Sequence, residues 1–326
     1  MAEMLRELVE RLANWQVAVV GDVILDEYLI GTASRLSREA PIPVLEFERR
    51  EVIAGGAANP AANVVALGSF AHQIGVIGAD ENGATLHALL AARQIGTHGL
   101  IVDATRPTTT KTRIMAQVGL RFPQQVARLD RVDRTPISAE IAGRVNAQLS
   151  GQQYHAIICS DYLNGLLTPE VVACVRAQQT LRVADAQGEL DKYSSFDVVK
   201  CNAEEARRAL GRPLRSHAEF GAAAQQLFER LQLQRGICLT RGADGITVAD
   251  CSGVRHVPAP QVEDVFDTVG AGDTVVAVIA LALLAGADLT TAARLATFAA
   301  SIVIRRVGNY APSRAELLAE IAAHGS

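Results

Sequence analysis

The chain has 326 residues, 49% hydrophobic but only 4% aromatic, and a formal net charge of −4. That length accommodates one large α/β domain or two smaller ones around a generous core. A pI near 6.0 offers no basic excess for nucleic acid, which argues against nucleic acid as the main partner.

Residues 1–12 read as a charged amphipathic helix with Glu3, Arg6, Glu7, Glu10 and Arg11, and not as a signal peptide. Val17 to Asp22 is a short apolar strand, and Asp22 falls at its carboxyl end, where open parallel sheets place ligands. From Tyr28 to Glu48 the character changes. Ser34 to Pro43 is loop-like, and Val44 to Glu48 alternates like a one-sided strand. A second alternating patch runs from Thr108 to Leu129. The two patches predict a small separate sheet, a lid formed by segments at about 28–50 and 106–130. Its uncovered face would invite a homodimer.

Between the patches, Gly55-Gly56 opens a small-residue helix, 74–78 is a strand and 82–93 a helix. Residues 156–161, 182–185, 197–202 and 236–242 are strands with polar ends, and a helix follows at 203–210. Strands alternating with helices predict a doubly wound, mostly parallel α/β sheet in a single domain spanning 1–326. Five cysteines (Cys159, Cys174, Cys201, Cys238, Cys251) lack any C-x-x-C pair and predict reduced thiols in a cytoplasmic protein. The longest apolar run, Thr274 to Ala285, is shorter than the about 20 residues that span a bilayer, so it predicts a buried helix and no membrane partner.

The chemistry concentrates between Val262 and Ala285. An extended approach ends in Gly270-Ala271-Gly272, and a strongly apolar helix begins at or near Asp273. A helix start presents unpaired amides and a positive dipole, a ready oxyanion site, and glycine lets a ligand come close to the backbone. A carboxylate on the rim of an anion site repels what the site binds. It makes sense if Asp273 takes a proton from a nucleophile attacking a bound phosphate. An N-cap role alone would also place an Asp there.

The whole string, Asp267-Thr268-Val269-Gly270-Ala271-Gly272-Asp273, resembles the catalytic motif of the ribokinase-like (PfkB) carbohydrate kinases. The resemblance implies Asp273 as general base and Gly270, Ala271 and Gly272 as the anion hole. It implies a sugar-binding stretch at Gly55, Gly56, Asn59 and Asn63, with Asp22 and Asp26 as carboxylates that clasp hydroxyls. Close packing would explain the same glycines. Asn202-Ala-Glu-Glu205 is similar to the family's N-x-x-E motif and implies water-bridged Mg²⁺, although an Asn N-cap with an exposed Glu reads the same. Thr240-Arg241-Gly242-Ala-Asp244-Gly245 resembles the ATP loop, with Arg241 on the phosphates. Asp267 and Gly308 fall in the segments that imply a monovalent cation, K⁺.

Within the family, several segments resemble the heptose 7-phosphate kinases. These are Gly21 to Asp26, Ser34-Arg35, Glu39 to Val44, Thr110 to Arg113, Arg128 to Asp130 and Ser160 to Tyr162. This narrower likeness implies ATP-dependent phosphorylation of the anomeric O1 of D-glycero-D-manno-heptose 7-phosphate, toward ADP-heptose for lipopolysaccharide core. A second protein would then supply the adenylyl transfer, since no H-x-G-H motif occurs. A substrate that already carries a phosphate needs cations, and Lys111, Arg113, Arg35 and Arg128 are the candidates; solvated surface charge is the other reading of each. Asp161 and Asp185 complete the expected substrate side. Heptose kinases commonly carry Asp-Pro-Lys where this chain has Asp185-Ala186-Gln187, and Lys where it has Asn164. Ribose, fructose or fructose 6-phosphate kinases would share every core motif. A non-catalytic regulator would have no use for Asp273. No G-x-G-x-x-G follows the first strand and no Gly-Lys dipeptide occurs, which argues against Rossmann and P-loop chemistry.

Overall fold

The computed structural model describes residues 2–117, 123–262 and 264–324. In chain order the elements are α1 (Ala2–Glu10), β1 (Gln16–Gly21), β2 (Val23–Leu36), β3 (Pro43–Gly56), α2 (Ala58–Ala66), β4 (Phe70–Gly78) and α3 (Glu81–Ala92). There follow β5 (Gly96–Asp103), β6 (Thr110–Gln117), β7 (Gln124–Arg131), α4 (Ala139–Ser150), β8 (Ala156–Asp161), α5 (Pro169–Ala177) and β9 (Leu181–Ala186). The last part holds β10 (Val198–Asn202), α6 (Ala203–Leu210), α7 (His217–Leu231), β11 (Gly236–Thr240), β12 (Ile246–Asp250), β13 (Gly253–Val257), α8 (Ala271–Leu284), α9 (Leu289–Val303) and α10 (Arg314–His324).

Nine strands form the large sheet in the order β13-β12-β11-β10-β9-β8-β1-β4-β5. The run from β11 through β5 is parallel, and β12 and β13 are antiparallel additions at one edge. The central strands are apolar on both faces, as a sheet covered by helices on both sides requires. Val17, Val19, Ile158 and Val183 point into one core with α2, α8 and α9. Ala18, Val20, Ile157 and Ala184 point into the other with α4, α5 and α7. Alternation with period two sorts each strand between the cores. Helix α8 is buried from Asp273 to Leu283, in keeping with its apolar character all round.

The second sheet has the order β3-β2-β6-β7, with β2–β6 parallel and the outer pairs antiparallel. Its strands run longer than the sequence predicts. β2 starts at Val23, directly after β1, and β3 continues to Gly56. The Gly55-Gly56 pair therefore ends a strand and is not a turn opening a helix: Gly56 faces Val23 and Gly55 faces Ile24 in the β2–β3 register. Only residues 37–42 of the expected 34–43 loop separate β2 from β3. Residues 118–122, within the second expected lid segment, lie outside the described residues, as does Glu263. No helix among the described residues is long and apolar enough to cross a membrane, and all five cysteines are free.

Candidate active site

The site forms where the carboxyl ends of β1, β8, β9 and β10 meet the N-terminus of α8. Gly270 holds the N-cap of α8 in the left-handed region (φ 81°), and no side chain caps the helix. Ala271 N–H donates to Thr268 O at 3.3 Å in the approaching turn, so of the three expected anion-hole amides this one is engaged locally. A Cβ at Gly270 would lie 2.5 Å from Asn59 Nδ2, and one at Gly272 would lie 2.8 Å from Lys200 Nζ. A Cβ at either position would force that side chain to shift, and at Gly270 the left-handed backbone adds strain for any other residue.

Asp273, in the first turn of α8, is 7% exposed. Its Oδ2 accepts from Asn59 Nδ2 at 3.0 Å and its Oδ1 from the Tyr162 hydroxyl at 2.9 Å. Burial, reinforced by the charge of Asp185, pushes its carboxyl up to about 6, against the pull of Asn59, Lys200 and Tyr162. Each oxygen keeps a lone pair, so the group is oriented and can still accept a proton. Asn59 is fully buried and lies one turn before Asn63, whose Nδ2 donates to Asn59 O at 2.9 Å. Behind Gly272, Lys200 of β10 pairs with its cross-strand neighbour Asp185 at 2.8 and 3.1 Å.

The substrate-side residues divide into groups. Asp22 accepts backbone amides from Tyr162, Asn164 and Leu166 at 3.0 to 3.3 Å. It holds the 162–166 loop, and burial, with Asp161 nearby, raises it to about 6. Asp161 is bonded to Tyr193 (2.5 Å) and Lys192 (2.7 Å), inside the fold. Asp26 pairs with Arg113 at 2.6 Å and accepts from Asn309 Nδ2 at 3.0 Å. It lies flat over Gly55, where a Cβ would come within 2.0 Å of its Oδ2. Lys111 and Arg113 share a face of β6, as their spacing predicts, but Arg113 is occupied by Asp26. The Lys111 ammonium stands 5.2 Å above the Tyr162 ring, and burial lowers its pKa. Together with Thr109, Thr110, Arg128, Arg134 and Tyr162 it lines a pocket of about 160 Å³, which Asp130, Val132, Asn164 and Gln187 also border, so three cations face one carboxylate there. Arg128 is half exposed and pairs with Asp130 at 2.9 Å. Arg35 does not join this group: it lies nine residues along β2 from Asp26, up to about 30 Å at roughly 3.3 Å per residue, and lines a separate recess with Leu36, Ser37, Arg38, Glu39 and Val44.

On the nucleotide side, Asn202 caps α6 and forms a reciprocal capping box with Glu205. The N-cap reading of this pair is thus realised, except that Glu205 is buried. Asn202 Oδ1 accepts the amides of Glu204 and Glu205, both at 2.9 Å. The two Glu205 oxygens take Asn202 N (2.5 Å) and Nδ2 (2.7 Å). The oxygen of Asn202 is therefore filled, whereas each Glu205 oxygen keeps a lone pair of the hard type Mg²⁺ prefers. Glu205 fits a water-bridged Mg²⁺, and Asn202 fits the part of its holder. Gly242 (φ 58°) and Gly245 (φ 82°) shape the Thr240–Gly245 turn, and Thr240 Oγ1 bonds Cys201 O at 3.4 Å. Arg241 turns toward His217 and His256, both at 3.0 Å, with Phe220 beneath it; these partners, and not an open phosphate site, hold its guanidinium. Asp267 accepts from Val269 N at 2.9 Å and Gly308 N at 3.0 Å, which brings the two expected cation-binding segments together.

The sequence matches the pfkB family carbohydrate kinases over residues 15–316. The chain belongs to the pfkB family of carbohydrate kinases. As a pfkB kinase it is an ATP-dependent sugar kinase. It is 37% identical over 311 residues to the bifunctional protein HldE of Geobacter sulfurreducens, covering 93% of this chain and 62% of that protein. The HldE of Caulobacter vibrioides is also 37% identical, over 333 residues, with 98% and 66% covered. The chain thus spans a little over six tenths of the length of these curated relatives. Among solved structures, Escherichia coli phosphofructokinase-2 in complex with substrates and products superposes with a TM-score of 0.79 at 20% identity, covering 96% of this chain and all of that one. The ribokinase of Arabidopsis thaliana complexed with ribose and ATP gives 0.73 at 18% identity, with 94% and 99% covered. A phosphofructokinase-2 structure in complex with potassium gives 0.77 at 19%, covering 96% of this chain and 100% of that one. These structural likenesses show the fold.

Sequence reasoning left three residues of this pfkB kinase without a role. Tyr162 and Lys200 touch the Asp273 turn from other strands' ends, and Asn309 links Asp26 to the Gly270 turn. None belongs to a motif read for that contact. Only the departure at Gln187 signalled that a cation had to be sought elsewhere.

Proposed function

We propose that this pfkB kinase phosphorylates the anomeric O1 of D-glycero-D-manno-heptose 7-phosphate, giving the 1,7-bisphosphate on the route to ADP-heptose. The observation that carries this reading is the pocket bounded by Lys111, Arg128 and Arg134 beside Tyr162, whose hydroxyl bonds Asp273. A cationic recess next to the base suits a sugar that already bears a phosphate at its far end. The narrower sequence likeness to heptose 7-phosphate kinases and the HldE relatives support the same substrate.

In the reaction Asp273 accepts the O1 proton as the hydroxyl attacks the γ-phosphorus in line, with Asn59 and Tyr162 fixing the carboxylate. The transition state of such transfers is loose, so a carboxylate of modest basicity suffices. The Gly270 and Gly272 amides face the moving phosphoryl group. Glu205, held by Asn202, would hold through water a Mg²⁺, which would supply neutralising charge to the ATP phosphates. The Asp267 and Gly308 segments would hold a monovalent cation, K⁺, and the Thr240–Gly245 turn would receive ATP. The second sheet acts as a lid that excludes water, and its outer face joins two copies of the single domain.

Asn164 and Gln187 favour a second reading. They put amides in the pocket where heptose kinases commonly carry lysine, which suits a less charged sugar. ADP release from Mg·ATP with heptose 7-phosphate, fructose 6-phosphate, ribose and fructose separates the two. Turnover confined to the heptose phosphate is the expected result. Preference for ribose or fructose would overturn the phosphate assignment of the pocket and leave Asp273 as the base.

A further inference from the structure

Lys200 and Asp185 form a buried pair that no part of the scheme above uses. Both are almost inaccessible, at 5% and 7% exposure. A buried ion pair is weak evidence for stability, because desolvation offsets the attraction and apolar replacements often do as well. Its position suggests another reason for its presence. The ammonium stands against the Gly272 main chain, 2.8 Å from where a Cβ would lie, at the first turn of α8. Two of its three N–H groups serve the Asp185 carboxylate, and the third has no partner among the described residues. A lysine buried this deeply stays charged only beside a countercharge, which the Asp185 carboxylate bonded to it supplies. Its charge also reaches Asp273 and Glu205. A charged donor is therefore fixed between the base, the metal-holding carboxylate and the uncapped helix end. Two residues after Asp185 this chain carries the neutral Gln187, so β9 itself brings no cation beside that carboxylate. Lys200 enters from the neighbouring strand instead.

We infer that Lys200 is a further catalytic residue, the fixed cation of the anion hole, and that Asp185 is the residue that positions it. This rests on the kinase reading of the site. As the sugar oxygen bonds to the γ-phosphorus and the bond from that phosphorus to the ADP oxygen breaks, the hydroxyl proton passes to Asp273. Lys200 keeps its own proton and donates its third N–H to a γ-phosphoryl oxygen beside Gly272. A preorganised charged donor in a dry site acts without reorganisation during the step.

The test uses Lys200→Met and the neutral pair Asp185→Asn/Lys200→Met, which leaves no unpaired buried charge. The double variant is expected to melt within a few degrees of wild type. Its kcat is expected to fall by about 10²-fold or more, with KM for the sugar little changed. Calorimetry with Mg²⁺ and an imido analogue of ATP supplies a reading that does not depend on the sugar. Affinity for the analogue should drop about tenfold or more while that for Mg·ADP moves less than about twofold, since only the former carries the γ-phosphoryl group. Recovery of wild-type kcat in the folded double variant, or equal effects on both nucleotides, would overturn the role and leave Lys200 as the structural partner of Asp185. Wild type that binds the analogue but turns over no sugar of the panel would sink the substrate assignment alone.

Discussion

A carboxylate held at about 6 by burial is close to the best base a kinase can use near neutral pH, since it is ionised in use yet binds a proton readily. The same placement has a cost in stability. The native state holds the Asp273 proton more tightly than an unfolded chain does, with its ordinary value of 3.8. Ionised Asp273 therefore destabilises the fold by up to roughly 3 kcal/mol at pH 7. That penalty is relieved as pH falls through about 6 toward 3.8. Asp273→Asn is expected to lower kcat by about 10³-fold while raising Tm by a few degrees at pH 7.5 and by less at pH 5. In the wild type, kcat should fall below about pH 6. Activity of the Asn variant within tenfold of wild type would remove Asp273 as the base. This residue was legible because its seven-residue motif encodes both its type and its helix-start position. Tyr162 and Asn59, which orient it, were not legible in that role, because their approach depends on how β8 and α2 stack against α8. The Asn202 and Glu205 pair was legible as two competing roles. The geometry realises the cap, which fills the amide oxygen and orients the Glu205 carboxylate; the Mg²⁺ role remains the proposal for Glu205.

Helix α8 shows how an element can be readable while its surroundings are not. Its apolar run, its glycine start and its burial follow from the sequence, and so do most strand positions of the large sheet. The second sheet was expected in outline, yet its strands begin earlier and end later, because pairing to Gly56 extends β3 into what reads locally as a glycine turn. Turn chemistry gives way there to a ladder partner far along the chain. Lys200 is the sharper case. Its strand was predicted, but its meeting with Gly272 depends on the order of β9 and β10 beneath α8, which no local pattern carries. The glycine is therefore a test at this scale. A methyl at Gly272 would stand 2.8 Å from Lys200 Nζ, so Gly272→Ala must displace the ammonium or the turn. Turnover is expected to fall by about 10²-fold, with the circular dichroism spectrum and the affinity for Mg·ADP retained. Unchanged kcat would show that the turn has slack and that its close approach serves packing alone.

The whole molecule presents one sheet covered on both faces by helices and a second whose two faces differ. The face carrying Asp26, Lys111 and Arg113 looks into the site. The strand register puts Phe47, opposite Gly31, and Leu129, opposite Thr112, on the other face. They are 68% and 67% exposed. Large apolar side chains gathered on an open sheet with two free edges form a surface that water covers poorly and a second copy covers well. Charge placed there should divide the assembly without touching the base. Phe47→Asp with Leu129→Glu is expected to convert a dimer of about 69 kDa, twice the 34.6 kDa chain, into a monomer in light scattering. The loss of a lid-to-lid contact should raise KM for the sugar more than it lowers kcat, because under the proposed reading the second sheet covers the substrate while Asp273, Asn59 and Tyr162 stay on the main sheet and its helices. A wild-type chain that scatters as a monomer would remove the dimer and assign that exposed apolar face to some other contact. A variant that remains dimeric would move the interface off this sheet.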